Sequence, residues 1–224
     1  MNWSILMIIC TVADLHGEIV KIPNDIDVLL IAGDVLCHST PNEYNMHKEI
    51  AYLNKIFAPW VEKLMKRCAV WITWGNHDTL FDRNINLAPS ILQDISLINR
   101  SVIINGYKLY GTPYQPYFRG WSFNKYDTPD GLGKIYSSIP KDTDILLTHC
   151  PPYGILDKTE QGDRVGSMEL MKRVNQINTK LHVFGHIHNS YGKQTNGETT
   201  FINAAQMNEK YIITNSPIIH KLHK

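Results

Sequence analysis

The sequence VWITWGNHD (residues 70–78) joins a short apolar run to the polar cluster that ends it. Val70 to Trp74 is rich in β-branched and aromatic residues, which predicts a buried strand. Gly75-Asn76-His77-Asp78 follows directly. In a chain of this composition, independent placement of residues yields on the order of 0.003 occurrences of GNHD. The cluster therefore indicates a functional loop at the end of a strand.

Four more polar clusters follow predicted strands in the same way. The predicted strands are Ile5 to Val12, Val28 to Ala32, Ile145 to Leu147 and Leu181 to Phe184. The clusters after them are Asp14-Leu15-His16, Gly33-Asp34, His149 and Gly185-His186-Ile187-His188. In an α/β sheet the carboxyl ends of the strands converge on one edge, where ligands bind. We therefore expect all five clusters to contribute to one site.

The remaining sequence predicts two helices, a loop-rich middle and a strand-rich end. The helices are Glu43 to Phe57, where Pro59 interrupts the period, and Ser167 to Asn178, with Ser167 or Gly166 near the N-cap. Tyr107 to Asp130 is rich in Gly, Pro and aromatic residues, which favours a packed irregular segment. Three late strand-like runs without a helix between them suggest an antiparallel tail or a second sheet. They are Thr199 to Asn203, Tyr211 to Thr214 and Ile218 to Leu222.

Composition limits the class of protein. The chain has 224 residues, of which 43% are hydrophobic and 19% charged, and no apolar run approaches about 18 residues. We expect a single α/β domain over residues 1–224 and no membrane partner. The net charge of +1 provides no field for long nucleic acid, which favours a small substrate. The scattered residues Cys10, Cys37, Cys68 and Cys150 predict neither disulfides nor a thiolate zinc site, so we expect a cytoplasmic location.

The residue types in the five clusters are those that bind divalent metals. Carboxylate, imidazole and amide oxygen suit manganese, iron or zinc. On an extended segment, Asp14 and His16 would point to the same side and reach one ion, and His186 and His188 would repeat this geometry for the same ion or for two neighbours. Asp34 could bridge two cations. Seven candidate ligands are too many for one tetrahedral ion and predict two metals about 3.5–4 Å apart. These ligands are Asp14, His16, Asp34, Asn76, His149, His186 and His188.

The five clusters follow one another as DxH, GD, GNH[DE], an isolated His and GHxH. In this order of motifs the chain resembles the calcineurin-like metallophosphoesterases. More narrowly it is similar to the metallophosphoesterase-domain-containing proteins. The stretches that carry this likeness are KLYGTPYQPYFRGWSFN (108–124), RVGSMELMKRV (164–174), LHVFGHIHNSYG (181–192), TTFINA (199–204) and SPIIHKL (216–222). The resemblance implies a fold of two facing mixed β-sheets flanked by α-helices.

The resemblance also implies roles for the site residues. One ion would be held by Asp14, His16, Asp34 and His188. The other would be held by Asp34, Asn76, His149 and His186. A hydroxide that bridges the metals would attack phosphorus in line, while His77 would donate a proton to the leaving oxygen. Two divalent ions offset by two aspartates and one hydroxide leave a single positive charge, which matches a phosphodiester monoanion.

We therefore expect a metal-dependent phosphodiesterase for small phosphodiesters, with cyclic nucleotides preferred through the narrower resemblance. Two divalent ions are expected, manganese first, with iron, zinc, cobalt or nickel as alternatives. Two other functions stay open: a phosphomonoesterase or phosphoprotein phosphatase, and a weakly active nucleotide-binding module. Many phosphoprotein phosphatases carry Asp where this chain has Cys37, which weakens that assignment. The aromatic residues of 107–126 could stack on a nucleobase or pack in the core.

Overall fold

The protein is built from two facing β-sheets, seen in a computed structural model that describes residues 6–37 and 44–223. The strands are β1 (Leu6–Val12), β2 (Val28–Ala32), β3 (Ala69–Thr73), β4 (Arg100–Ile104), β5 (Tyr107–Thr112), β6 (Gln115–Pro116), β7 (Asn124–Lys125), β8 (Ile145–Thr148), β9 (Leu181–Phe184), β10 (Gly192–Thr195), β11 (Thr200–Asn203) and β12 (Ile218–His223). One sheet has the order β12-β1-β2-β3 and the other β10-β11-β9-β8-β5-β4, while β6 and β7 form a separate pair. Both sheets are mixed, because parallel central strands are flanked by antiparallel ones.

Short helices cover the outer faces of the two sheets. The α-helices are α1 (Met46–Tyr52), α2 (Ala58–Met65), α3 (Thr79–Asn84), α4 (Ser90–Ile95), α5 (Lys134–Tyr136) and α6 (Met168–Val174). Shorter π- or 3₁₀-helical turns are Leu53–Phe57, Ile85–Leu87, Pro129–Gly133 and His188–Ser190. None of the described helices combines the length and the apolar character that a bilayer crossing needs.

Three buried clusters of apolar side chains hold the layers together. The first sheet packs on α1 to α4 through side chains such as Leu29 and Val61. The second sheet packs on α5 and α6 through side chains such as Tyr136 and Leu170. Between the sheets, the opposite faces of β1 and β2 meet β5, β8, β9 and β11. The central strands are buried on both faces, which explains their nearly continuous apolar sequences.

The predicted fold class of two facing mixed sheets flanked by helices is confirmed. The five strands that precede the polar clusters are present within one residue of the predicted ends, although Ile5 lies outside the described residues. The strand-like runs near the end of the sequence belong to different sheets. β11 lies in the second sheet, parallel to β9, and β12 lies in the first sheet, antiparallel to β1.

Two expectations for the loop regions were wrong. Tyr107 to Asp130 is not irregular throughout, because β5 occupies its start and pairs with both β4 and β8. Tyr211 to Thr214 is not a strand and makes only an isolated bridge, Met207 with Ile213. The prediction rested on the apolar residues of this run. Ile212 is exposed instead of packed in a sheet, and Tyr211 has a φ of 56°, which is not a strand conformation.

The first predicted helix extends beyond Pro59 instead of ending before it. The π-helical turn Leu53–Phe57 directly precedes α2, and Pro59 occupies its first turn. A widened turn accommodates the proline ring and the missing N–H, which a regular helix interior does not. Glu43, the predicted start, lies outside the described residues. At the second helix, Ser167 is confirmed as N-cap because its hydroxyl accepts from the Leu170 amide, but the helix ends at Val174, earlier than predicted.

The buried carboxyl of Glu49 predicts a pH dependence of stability. Burial, and then the neighbouring Asp78, raise the pKa of Glu49 from 4.5 to about 8. Because the folded-state pKa lies above the unfolded one, this group stabilises the fold fully below pH 4.5, and the contribution is lost as the pH rises through about 8. We expect Glu49→Gln to reduce the decline of unfolding free energy between pH 5 and 8.5 by about 1 kcal/mol or more.

Urea unfolding at several pH values measures this effect. Glu62→Gln serves as the matched control, because Glu62 is an exposed glutamate on the neighbouring helix α2. The same pH dependence in wild type and Glu49→Gln would contradict the assignment.

Candidate functional site

The five polar clusters meet at one edge of the two sheets, as the strand order requires. The loop after β1 lies on the loop after β2: the Asp14 amide donates to Gly33 O at 3.0 Å and the His16 amide to Asp34 O at 2.9 Å. In the second sheet, the Gly185 amide donates to His149 O at 2.9 Å. The His186 amide joins the two sheets, donating to the Asp14 carboxylate at 2.9 Å.

The Asp14–His16 segment is not extended, contrary to the geometry assumed from the DxH spacing. Asp14 and His16 have φ values of 55° and 43°, Asp34 has 54° and His186 has 71°. All four are in the left-handed region, which is strained for residues other than glycine. The side chains therefore converge because the loops curl at the strand ends, and not because they alternate along a strand.

Two glycines allow this close approach. Gly33 has a φ of 91°, and a Cβ there would lie 2.6 Å from His149 Nδ1. A Cβ on Gly185 would collide with the Asp14 carboxylate. Any larger side chain at either position would push apart the candidate ligands.

The candidate ligand atoms form compact groups. Asp14, His16 and His188 offer ligand atoms within 4.8 Å of one another, and so do Asp34, His149 and His186. Asn76 belongs beside the second group, because its Oδ1 is 3.0 Å from His149 Nε2. His186 and His188 thus fall into different groups. All seven predicted metal ligands are brought together.

Backbone carbonyls fix the orientation of two of the imidazoles. His149 Nδ1 lies 2.8 Å from Ala32 O and His188 Nδ1 lies 2.9 Å from Asn208 O. Since a carbonyl only accepts, each Nδ1 carries a proton and each Nε2 faces into the site. Burial lowers the pKa of both rings, but Asp34 beside His149 and Asp14 beside His188 outweigh it and raise each pKa to about 9, so a metal ion would replace the proton on Nε2. His149 Nε2 is 3.3 Å from Asp34 Oδ2, and His188 Nε2 is 3.5 Å from Asp14 Oδ1. The donor set therefore fits a pair of divalent cations.

Burial and neighbouring charges together set the pKa values of the site residues. Burial would raise the pKa of Asp34, but His149 and His77 outweigh it and hold that pKa well below its usual value. Burial lowers the pKa of His16 to about 3, and that of His186 also to about 3. These two imidazoles are therefore neutral, which is the form that binds metal. The carboxylates of Asp14 and Asp34 are both ionised in the interior, where a cation stabilises them.

His77 lies between the ligand groups and the open cavity. Its amide donates to Asp34 Oδ1 at 2.8 Å, and its Nε2 is 3.9 Å from Asp34 Oδ2. Its ring centroid is 4.7 Å from that of His16 and 4.0 Å from that of Trp121. His77, His16 and Asp34 also satisfy the distance criterion for a metal group. The geometry thus admits His77 either as a ligand or as a group that faces the substrate.

Asp78 ties the loops after β2 and β3 together. Its carboxylate accepts from the amides of Asp34, Val35 and Leu36 at 2.9 Å each, and from the Gly75 amide at 2.7 Å. It makes no capping bond to α3. Asp78 therefore stabilises these two loops through hydrogen bonds and does not cap α3.

A cavity of about 660 Å³ opens over the candidate ligands. The aromatic segment contributes to it unevenly. Phe123 is buried in the core and Tyr114 packs against it, whereas Tyr117 and Phe118 line the cavity with 55% and 53% of their surface exposed. Core packing thus accounts for part of the segment, and Tyr117 and Phe118 face the cavity instead. Arg164 closes a loop by pairing with buried Asp157 at 2.7 Å.

Sequence reasoning missed two residues at the site. Asn208 supplies the carbonyl that holds His188, and Tyr211 packs its ring 4.8 Å from that of His16. A backbone carbonyl has no residue-type signal, and Tyr211 lies in an apolar run without a motif. Their positions follow from how the chain returns between β11 and β12.

Known proteins are similar to this chain in sequence. Residues 8–190 match the model of the calcineurin-like phosphoesterases. The chain is 34% identical over 217 residues to metallophosphoesterase domain-containing protein 1 of Homo sapiens, covering 84% of this chain and 64% of that protein. It is 32% identical over 236 residues to UPF0046 protein K07C11.7 of Caenorhabditis elegans, covering 98% of this chain and 76% of the relative.

A solved dimetal phosphatase from Danio rerio superposes with a TM-score of 0.51 at 10% identity, covering 88% of this chain and 86% of that structure, which shows a shared fold. The chain spans just under two thirds of the length of the human relative. Because the family match extends from β1 past the GHxH cluster, and relatives about one-third identical extend it further, the chain belongs to the calcineurin-like phosphoesterase family.

Proposed function

We propose that this chain is a metal-dependent phosphodiesterase that hydrolyses small phosphodiesters, cyclic nucleotides foremost. Family membership indicates a hydrolase of phosphoesters that uses divalent metals. The observation that carries the finer proposal is the pair of neighbouring ligand groups, one around Asp14 and one around Asp34. Two such groups at one cavity are the arrangement that a dinuclear hydrolase requires.

Asp34 is proposed to bridge the two ions. The first ion would be held by Asp14, His16, Asp34 and His188, and the second by Asp34, Asn76, His149 and His186. The contact of Asp34 Oδ2 with His149 at 3.3 Å, and its 3.9 Å separation from His16, support this central position. Carboxylate, amide and imidazole donors favour manganese, with iron, zinc, cobalt or nickel as alternatives.

His77 is proposed as the proton donor to the leaving group. When bound, the two ions supply an activated water and neutralise phosphoryl oxygens. His77 lines the cavity, and its backbone amide is fixed by Asp34, so its imidazole is positioned at the substrate side of the ligands. Trp121 packs against the ring and limits its movement. A positioned histidine can provide the proton that a departing alkoxide needs.

The size and lining of the cavity support a small substrate with an aromatic part. A volume of about 660 Å³ lies in the range of small-molecule sites. Exposed Tyr117 and Phe118 offer faces on which a nucleobase can stack. A cytoplasmic location and the absence of membrane and long nucleic-acid partners remain predictions from composition.

The substrate class is tested with a panel on the manganese-loaded protein. We expect turnover of 3′,5′-cyclic nucleotides and faster hydrolysis of bis-para-nitrophenyl phosphate than of para-nitrophenyl phosphate, because the expected site charge matches a monoanion. Preference for the monoester would favour the phosphomonoesterase alternative. Calorimetric binding of AMP by fully metallated protein that turns over nothing would favour a nucleotide-binding module.

The division between ligands and proton donor is tested by metal content. We expect His77→Ala to keep near wild-type metal and to lose on the order of a hundredfold or more in rate. Asp34→Ala should lose both ions, because it removes the proposed bridge. Elemental analysis after gel filtration measures the ions, and His47→Ala, at an exposed histidine of α1, is the matched control. Equal metal loss in His77→Ala and Asp34→Ala would assign His77 as a ligand.

A further inference from the structure

Tyr211 lies at the tip of a tight turn formed by residues 208–212. The Tyr211 amide donates to Asn208 O at 2.9 Å, and the Asn208 amide donates to Ile212 O at 3.0 Å. The Asn208 side chain closes the turn from inside, accepting from the amides of Lys210 at 2.9 Å and Ile212 at 3.2 Å. The turn is therefore held by its own hydrogen bonds.

The same turn is fixed to the candidate metal site. Asn208 O accepts the hydrogen bond from His188 Nδ1 at 2.9 Å. Asn215, just beyond the turn, donates from its side chain to Ala205 O at 2.9 Å, at the base of the loop. Tyr211 is thus placed relative to His188 by a short, hydrogen-bonded path.

The backbone of Tyr211 is in the left-handed region, with a φ of 56°. Four candidate ligands share this conformation, Asp14, His16, Asp34 and His186, and so do five other non-glycine residues of the described chain. Such conformations are unfavourable for side chains larger than glycine and persist where the surroundings impose them, often at functional sites.

The ring of Tyr211 packs edge-on against three histidines of the site. Its centroid is 4.8 Å from that of His16, 5.6 Å from that of His188 and 6.3 Å from that of His77. Tyr211 also lines the cavity above Asp34, with 36% of its surface exposed. Core packing alone does not account for a tyrosine that is one-third open to the substrate cavity.

The phenol of Tyr211 has an O–H group that can donate a hydrogen bond. A phosphoryl group presents only acceptor oxygens, and Asp34 and Glu209, which line the cavity with Tyr211, offer it no donor. A neutral O–H group can supply a donor at this edge of the site, and a hydrogen bond to a charged acceptor is stronger than one between neutral groups.

We propose that Tyr211 is a substrate-binding residue, whose hydroxyl donates a hydrogen bond to a non-bridging phosphoryl oxygen of the ester held beside His16 and His77. This inference rests on the proposed phosphoesterase function and adds to it a contact from outside the five polar clusters. Tyr211→Phe is the informative variant, because it removes the hydroxyl and keeps the ring that packs on the histidines.

The experiment compares wild type, Tyr211→Phe and the control Tyr153→Phe in the manganese-loaded protein. Tyr153 is similarly exposed, at 42%, and does not line the cavity. Three quantities are measured: metal content, kcat/KM for bis-para-nitrophenyl phosphate, and the affinity for orthophosphate by calorimetry. We expect Tyr211→Phe to keep its metals, to lose about tenfold or more in kcat/KM and to bind orthophosphate about tenfold more weakly. The control should stay within about twofold of wild type.

The outcomes separate this inference from the proposed function. Normal turnover and normal orthophosphate affinity in Tyr211→Phe would overturn the inference and leave the function intact. Metal loss in parallel with activity would also overturn it, because Tyr211 would then support the ligands and not the substrate. If wild type hydrolyses none of the esters but Tyr211→Phe still weakens orthophosphate binding, the proposed function fails and the contact stands. A wild type that binds no orthophosphate counts against both.

Discussion

Two buried carboxylates, Asp14 and Asp34, set the central constraint of this structure. They are 0% and 2% exposed, and burial by itself penalises their charge. The surrounding histidines keep both ionised, and a carboxylate in the interior without an opposing cation is costly. Divalent metal ions would supply the opposing positive charge that the two buried carboxylates need. We therefore regard metal binding as the reason these groups are held together.

The fold provides the positions that this arrangement needs. Parallel central strands in both sheets end at one edge, and the Asp14 carboxylate joins the sheets by accepting the His186 amide. Asp78 holds the loop of Asp34 against the loop of His77 through four backbone amides. These backbone hydrogen bonds hold the candidate ligands in fixed positions relative to one another. Preorganised charges of this kind are also what stabilises a phosphoryl transition state.

The sequence predicted the strands before the clusters and the convergence of the seven ligand candidates, because short apolar runs and rare motifs leave a clear local signal. The two facing sheets were expected from the family resemblance. Sequence reasoning failed where tertiary contacts decide. Pairing with two neighbours makes Tyr107–Thr112 a strand despite its glycine-rich and aromatic context. A π-helical turn lets the first helix pass Pro59. The curled loops at Asp14 and His186 and the position of Tyr211 depend on left-handed backbone conformations that residue types do not encode.

Anomalous diffraction from crystals of the manganese-loaded protein tests the central claim most directly. The account predicts two anomalous peaks about 3.5–4 Å apart, one contacting Asp14, His16 and His188 and the other Asn76, His149 and His186, with Asp34 in contact with both. A single peak, or peaks away from Asp34, would contradict it.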